Sequence, residues 1–491
     1  MGRNHFFLIL IIILLFGIFF RTYKLVERFG FAHDADLYSW IVKDIVIDHH
    51  PRLIGQLTST EGIFIGPLFY YLLIPFFLIF NMDPIGSAYF SPVVGILNIL
   101  SYYFVLSKLF NKKVGIIAAF LQAVSLGAVG FDRWVVPTIT TKLWAIWYLY
   151  TILMIIRGNF KVLPLLGLLI GLIWQVHLAL LPALLAVPFA FVFSKKIPRL
   201  KQIAFFILSL VVSSLPLLVF EIKHNFIQTI SLVKSFLINH EGATGWYKFW
   251  TILDKISKNT DSLFFSPGSL PNNLKLFFSM GLLLLCLVLI KKKILKAYEA
   301  SALLIWIAGV VSYFSFSSVQ VSEYYFANLE VIFLTLASLL ICVFFNSSVL
   351  RRYLTLLLLF LLLFRNVIFY LTSEPFHIGY AEKKAITQYI VSDAKENTFP
   401  CVAINYITLP GENVGFRYLF FINSLKLAQP SDKVPVYSIV FPYEWSKQEV
   451  KAVFGHMGVI PPAKIPPRQN LEYDCSGENT NLTDPLFGYV E

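Results

Sequence analysis

Two carboxylates, Asp34 and Asp36, stand two residues apart in the stretch GFAHDADLYSW, directly after the first long apolar run of the chain. A carboxylate at a membrane edge is partly stripped of water, which disfavours its charged form. Its pKa then rises toward the range where it can take a proton from a hydroxyl. Both acids also have plainer readings. Asp34 could cap the helix ADLYSWIVKDIVI by accepting its first amides, and Asp36 in the first turn could complement the helix dipole.

Three other places put polar groups at the ends of apolar runs. They are Asp132 with Arg133, Gln175 with His177, and Glu221 with Lys223 and His224. Taken singly, Arg133 could snorkel to a headgroup and His177 could satisfy a neighbouring span. Taken together, ionisable groups at a membrane edge are costly and tend to mark a site. Glu330 and Arg365, in neighbouring late runs, read as a structural ion pair, and Lys142 reads as lining the outer cavity. The sequence holds no HExxH, CxxC, P-loop or Gly-rich dinucleotide signature, so zinc proteolysis and ATP-driven transport have no support.

The elements that must position these groups follow from composition. The 491 residues are 57% hydrophobic and 16% aromatic with only 14% charged, the profile of a mostly α, polytopic transmembrane protein. The net charge of +12 is not a nucleic-acid footprint. Before residue 373 there are 30 basic and 15 acidic residues, and after 372 there are 10 and 13. The excess therefore lies among the apolar segments, as for charges that orient spans. The first stretch, MGRNHFFLILIIILLFGIFFRTYK, has no small-x-small cleavage site and reads as a retained span.

About 11 spans are expected, near 5–21, 86–108, 114–131, 136–156, 161–176, 178–194, 202–221, 274–290, 299–317, 324–345 and 353–372, most approaching the roughly 20 residues a bilayer requires. The run 62–80 is long enough for another. If it crosses, however, KLFNKK, RGNFK, SKKIPRLK, KKKILK and RR all move outside, against the positive-inside rule. It is therefore expected to be interfacial or re-entrant, giving N-in/C-out. The expected organisation is a transmembrane domain over 1–372, with external sections at 22–85 and 221–273, and an extracytoplasmic α/β domain over 373–491. In the tail, KKAITQYIVSDA reads as a helix, CVAINYI and VPVYSIVF as strands with helical GFRYLFFINSL between them, and IPPAKIPPR as a polyproline connector. Cys286 and Cys342 sit in apolar runs, whereas Cys401 and Cys475 could pair if the tail faces an oxidising compartment.

With these residues laid out, the chain resembles the polyprenyl-phosphate-sugar-dependent glycosyltransferases of the GT-C fold, specifically the bacterial branch of the protein O-mannosyltransferase and lipid A aminoarabinose transferase superfamily. The resemblance rests on DADLYSWIVKDI, GPLFYYLLIP, FDRWVVPTITTKLWAIWYLY, GLIWQVHLALL and VFEIKHNF, in that order over roughly the first 230 residues. It implies an integral protein of the cell membrane with its site on the outer face, taking a polyprenyl-phosphate-linked sugar donor and an envelope acceptor. It makes Asp34 the base. Arg133 is the first candidate for the leaving phosphate, with His177, Lys223 and His224 behind it, while Gln175 completes the binding set. Asp36 and Glu221 could orient the acceptor or hold a divalent cation with His177. Membrane lipids are the other expected partners and nucleic acid is not one. Two departures stand out. Ala35 occupies the place of the acid that commonly follows the leading Asp, and Ile65-Gly66 replaces a basic residue.

Two rival classes share a basic outer face and a lipid groove. A flippase of lipid-linked saccharides would carry ionisable groups or broken helices near the bilayer midplane. An O-antigen polymerase or ligase would carry its basic residues in a large late external loop. The 221–273 section, with Lys248, Lys255 and Lys258 beside Glu241, Asp254 and Asp261, is mixed in charge.

Overall fold

The computed structural model describes residues 3–58, 62–237, 244–265, 269–409, 411–431, 433–446 and 449–482. Glu241 and parts of the 221–273 section and of the tail lie outside the described residues. Among the described residues, seven helices are long and apolar enough to cross a membrane: His5–Thr22, Ile85–Leu109, Pro137–Ile156, Asn272–Lys291, Ala297–Phe316, Glu323–Phe345 and Val349–Thr372. Two further candidates are pairs bent by 62°, Lys112–Val124 with Leu126–Arg133 and Leu200–Ser213 with Leu215–Lys223. Each bend has a local cause. Ser125 leaves the helical conformation and its side chain caps the next helix at Ala128 N, while Pro216 in the first turn of Leu215–Lys223 cannot continue a preceding helix.

Shorter apolar helices occupy Phe160–Val176 and Leu178–Ser194. His177 between them is extended, with φ −175° and ψ 138°, so the turn expected there is one residue long. All eleven expected segments are thus helical. The debated run 62–80 is helical only over Leu68–Ile79. Its 12 residues rise about 18 Å, well short of a hydrocarbon core of about 30 Å.

The chain divides into two units. The first comprises Met1–Tyr23, Leu53–Phe69 and Ser91–Ser373, and the second comprises Lys24–Arg52, Tyr70–Phe90 and Glu374–Glu491. The interior of the first is apolar, with Trp144, Tyr148 and Trp306 buried. Among its buried polar groups, Trp306 Nε1 donates to Asn328 Oδ1 at 2.9 Å and Tyr148 OH to the Ala183 carbonyl at 2.7 Å.

The second unit contains a four-stranded sheet of order β1-β2-β4-β3. Strands β1 (Ala403–Thr408) and β2 (Val436–Phe441) are parallel, whereas β3 (Ala452–Phe454) and β4 (Met457–Ile460) form an antiparallel hairpin. The parallel pair needs a crossover, and the helix Arg417–Ile422 lies in it. The expected tail helix is found at Tyr380–Glu396. Cys401 and Cys475 form a disulfide across 74 residues, and Cys286 and Cys342 are buried free thiols.

Candidate functional site

In the second unit, both acids of GFAHDADLYSW lie in the first turn of the helix His33–Val46. The N-cap is Ala32, in extended conformation and without a side-chain cap, so the capping role considered for Asp34 is not what the structure shows. The two acids face different surroundings. Asp34 is half-buried. Asp36 is only 5% exposed and its Oδ1 accepts from the Tyr418 amide at 3.3 Å. Burial pushes the Asp36 carboxyl up to about 6, although the Tyr418 amide and the charges of Arg417, Lys383 and His33 pull the other way.

The segment leading into this helix is clasped by the tail. Lys383 Nζ donates to the carbonyls of Phe31 (2.8 Å) and Val414 (2.9 Å), and Tyr380 N donates to Phe29 O at 2.9 Å. Burial lowers the Lys383 ammonium to about 8. Gly415 passes close to this segment with φ +89°, where an added Cβ would stand 2.9 Å from Phe31 O.

Among the described residues, one group of potential metal ligands lies close together: Asp44, Asp48 and His50. Its negative charge is already met. Arg52 holds Asp44 at 2.7 Å and Lys43 holds Asp48 at 2.6 Å, so the group is a closed ion-pair set.

In the first unit, sequence reasoning missed Arg21. It is fully buried against Asp132. Its guanidinium makes bonds to Asp132 and to the carbonyls of Gly17, Ala123 and Gln122, which uses every N–H it has. Asn98 Nδ2 donates to the other Asp132 oxygen at 2.9 Å. Gly95 makes room for this side chain, since a Cβ there would lie 2.0 Å from Arg21 Nε. The available signal was a basic residue in the last turn of the first span, which reads equally well as an interfacial anchor.

Arg133, the next residue, donates through Nη1 to the carbonyls of Phe20 (3.1 Å) and Tyr23 (3.2 Å) and lies over the Tyr370 ring. The ion pair expected between Glu330 and Arg365 is not formed. Glu330 pairs with Lys142 at 2.7 Å, both buried, while Arg365 bonds Asn366 and the Phe264 carbonyl. Lys142 is therefore a buried partner inside the helix packing.

The segment 63–68 is held from two sides. Gln228 Oε1 accepts from Phe64 N at 2.8 Å, and Gln175 Oε1 accepts from Leu68 N at 3.1 Å. The Gln175 side chain fills the space where Gly66 has no Cβ, which explains why no basic side chain stands there. Glu221 accepts from the amides of Gln228 (2.9 Å) and Thr229 (3.0 Å), engaging both of its oxygens. His177 Nδ1 accepts from Ala179 N at 3.0 Å, so the neutral ring carries its proton on Nε2. The ring packs on Tyr325 beside a cavity of about 60 Å³. His224 stacks on Phe220 with Nδ1 2.9 Å from its carbonyl, and Lys223 is exposed. The structure thus joins Asp34 with Asp36 on one helix and gathers Glu221, Lys223 and His224 on one helix end.

No protein-family model matches the sequence, and no curated protein matches it either. Solved structures do match. ArnT from Cupriavidus metallidurans bound to undecaprenyl phosphate superposes with a TM-score of 0.57 at 10% identity, over 94% of this chain and 98% of that one. The apo form of the same protein gives 0.58 at the same identity and coverage. A weaker likeness, TM-score 0.48 at 16% identity over 86% of this chain and 62% of that one, is to the oligosaccharyltransferase of Archaeoglobus fulgidus in complex with zinc and sulfate. The two ArnT structures span nearly the whole of both chains, and this chain has the GT-C fold.

Proposed function

We propose that the protein is an integral-membrane glycosyltransferase that moves a sugar from a polyprenyl-phosphate donor to a hydroxyl of an envelope acceptor on the extracytoplasmic side, with Asp34 as the base. The observation that carries this reading is the near-complete match in fold to a protein crystallised with undecaprenyl phosphate. The tail disulfide supports an oxidising compartment for the second unit, which also carries Asp34. The excess of basic residues in the apolar part of the chain supports the cell membrane with the N-terminus inside.

In this reaction Asp34 removes the acceptor proton and the acceptor oxygen attacks the anomeric carbon. The bond from that carbon to the donor phosphate breaks, polyprenyl phosphate leaves with the electron pair, and the anomeric centre inverts. One carboxylate suffices, unlike the pair of a soluble glycosidase. Half-burial in the first turn of a helix suits the role, because Asp34 keeps access to solvent while part of its hydration is removed.

The positive groups offered to the departing phosphate are Arg133, Lys223 and His224. Arg133 comes first, since a guanidinium held at one nitrogen by two carbonyls is already oriented. Gln175, His177 and Glu221 act as positioning residues through the backbone they hold. Asp36 sets the packing beneath Asp34.

The test is transfer of label from radiolabelled polyprenyl-phosphate sugars to cell-envelope acceptors by the full-length protein in detergent. Wild type is expected to transfer and Asp34→Asn to fail. Undiminished transfer by Asp34→Asn overturns the base assignment, and failure with every lipid-phosphate donor overturns the transferase reading.

A further inference from the structure

The first unit carries an apolar groove of about 610 Å³, lined by none of the residues offered above as base or as phosphate contacts. One wall is the helix Val349–Thr372, which presents Arg351, Thr355, Leu358, Leu359 and Leu362 to it. These steps of four, three, one and three residues keep one helical face. From Arg351 to Leu362 the groove runs about 16 Å, half of a hydrocarbon core of about 30 Å. It is therefore one leaflet deep, enough for an acyl chain but short for a long polyprenyl chain crossing to the other side.

The two ends differ in chemistry. Phe264 lines one end, its carbonyl engaged by Arg365. At the other stand two exposed cations, Lys292 and Arg351, with the Arg351 guanidinium 5.7 Å from the Phe344 ring. Among the described residues neither has a carboxylate within ion-pair distance, whereas Arg157 is paired to Glu299. The cationic end is the one at which Lys113 bonds Asn346, and Arg133 stands at the far end of the bent pair that begins at Lys112. By the charge rule this is the cytoplasmic end.

We infer that this groove is a binding site for one anionic glycerophospholipid of the inner leaflet. An acyl chain lies along Leu358 and Leu362, and the phosphodiester sits between Lys292 and Arg351. Apolar wall, leaflet depth and unpaired cations at the headgroup level all fit that occupant, and a zwitterionic lipid would leave the charge unmet. The site does not depend on the transferase reading.

Native mass spectrometry of the full-length protein in detergent, titrated with phosphatidylglycerol and with phosphatidylcholine of the same acyl chains, tests it. At about 1 kcal/mol per cation, two cations correspond to a preference of about 30-fold for phosphatidylglycerol. Lys292→Gln with Arg351→Gln should erase that preference, and Leu358→Trp, which fills the groove, should weaken both lipids. Equal retention of the two lipids by wild type overturns the site, as does a preference that survives the double substitution. Displacement of phosphatidylglycerol by undecaprenyl phosphate would assign the groove to the donor chain and also overturns it. None of these outcomes bears on whether Asp34→Asn transfers sugar, so the two readings fail separately.

Discussion

The buried charges of the first unit and the acids of the helix His33–Val46 in the second solve opposite problems. Arg21 with Asp132, and Lys142 with Glu330, are closed pairs within the helix packing. Every N–H of Arg21 is used, and stranding one partner of such a pair away from water is expensive. These groups join helices. Asp34 is different in kind, half-buried in a first helical turn, while its neighbour Asp36 is sunk into the packing against Tyr418. In these two pairs charge is a fastening, whereas the acid proposed as the base is the half-buried one.

The sharpest way to break this contrast is to exchange the expected phenotypes. Asp34→Asn should lower sugar transfer by about 10²–10⁴-fold, the usual worth of a general base, and leave unfolding in detergent nearly unchanged. Arg21→Ala should do the reverse in stability, costing about 3–5 kcal/mol by stranding Asp132. Arg21→Met with Asp132→Leu should recover much of that loss. A double variant no more stable than Arg21→Ala would show that the pair does more than fasten helices. Next in size, Lys383→Met removes two charge-assisted bonds to the carbonyls of Phe31 and Val414, each worth about 1.5–3 kcal/mol. Its effect should appear as slower transfer at saturating donor, because the segment ahead of Asp34 loses its clasp. A raised KM for donor with kcat intact would contradict that role.

Most of the architecture was legible because apolar length is a local property. All eleven expected segments are helical, and the run 62–80 is helical over Leu68–Ile79 alone. What the sequence could not disclose was pairing across long separations. Glu330 had two cations at plausible depth, and only packing shows that Lys142 and not Arg365 meets it. Arg21 is separated from Asp132 by 111 residues, so nothing in the FFRTYK run distinguishes it from an interfacial anchor. The β3–β4 hairpin was missed for a different reason, as strands of three and four residues leave almost no alternation to read. Of the candidate site, residue types and chain positions were visible, but the backbone amides that occupy Glu221 and His177 were not.

The smallest expected effect tests the acid set apart from Asp34. Burial is the largest influence on Asp36 and holds its carboxyl at about 6 against the opposing pull of the Tyr418 amide, Arg417, Lys383 and His33. An unfolded aspartate titrates near about 3.9, so the folded protein holds this proton more tightly than the unfolded chain does. The stability it contributes is present in full below about pH 4 and is lost as pH rises through about 6. Asparagine has no such proton to lose. The melting temperature of Asp36→Asn relative to wild type should therefore climb by a few degrees between about pH 4 and pH 6 and stay level above. Paired melts of the two purified proteins across that range measure it, and the difference cancels the titration of groups they share. An offset that stays constant with pH would mean that Arg417 and Lys383 outweigh burial and keep Asp36 ionised throughout. Asp36 would then belong with Asp132 among the paired, fastening charges.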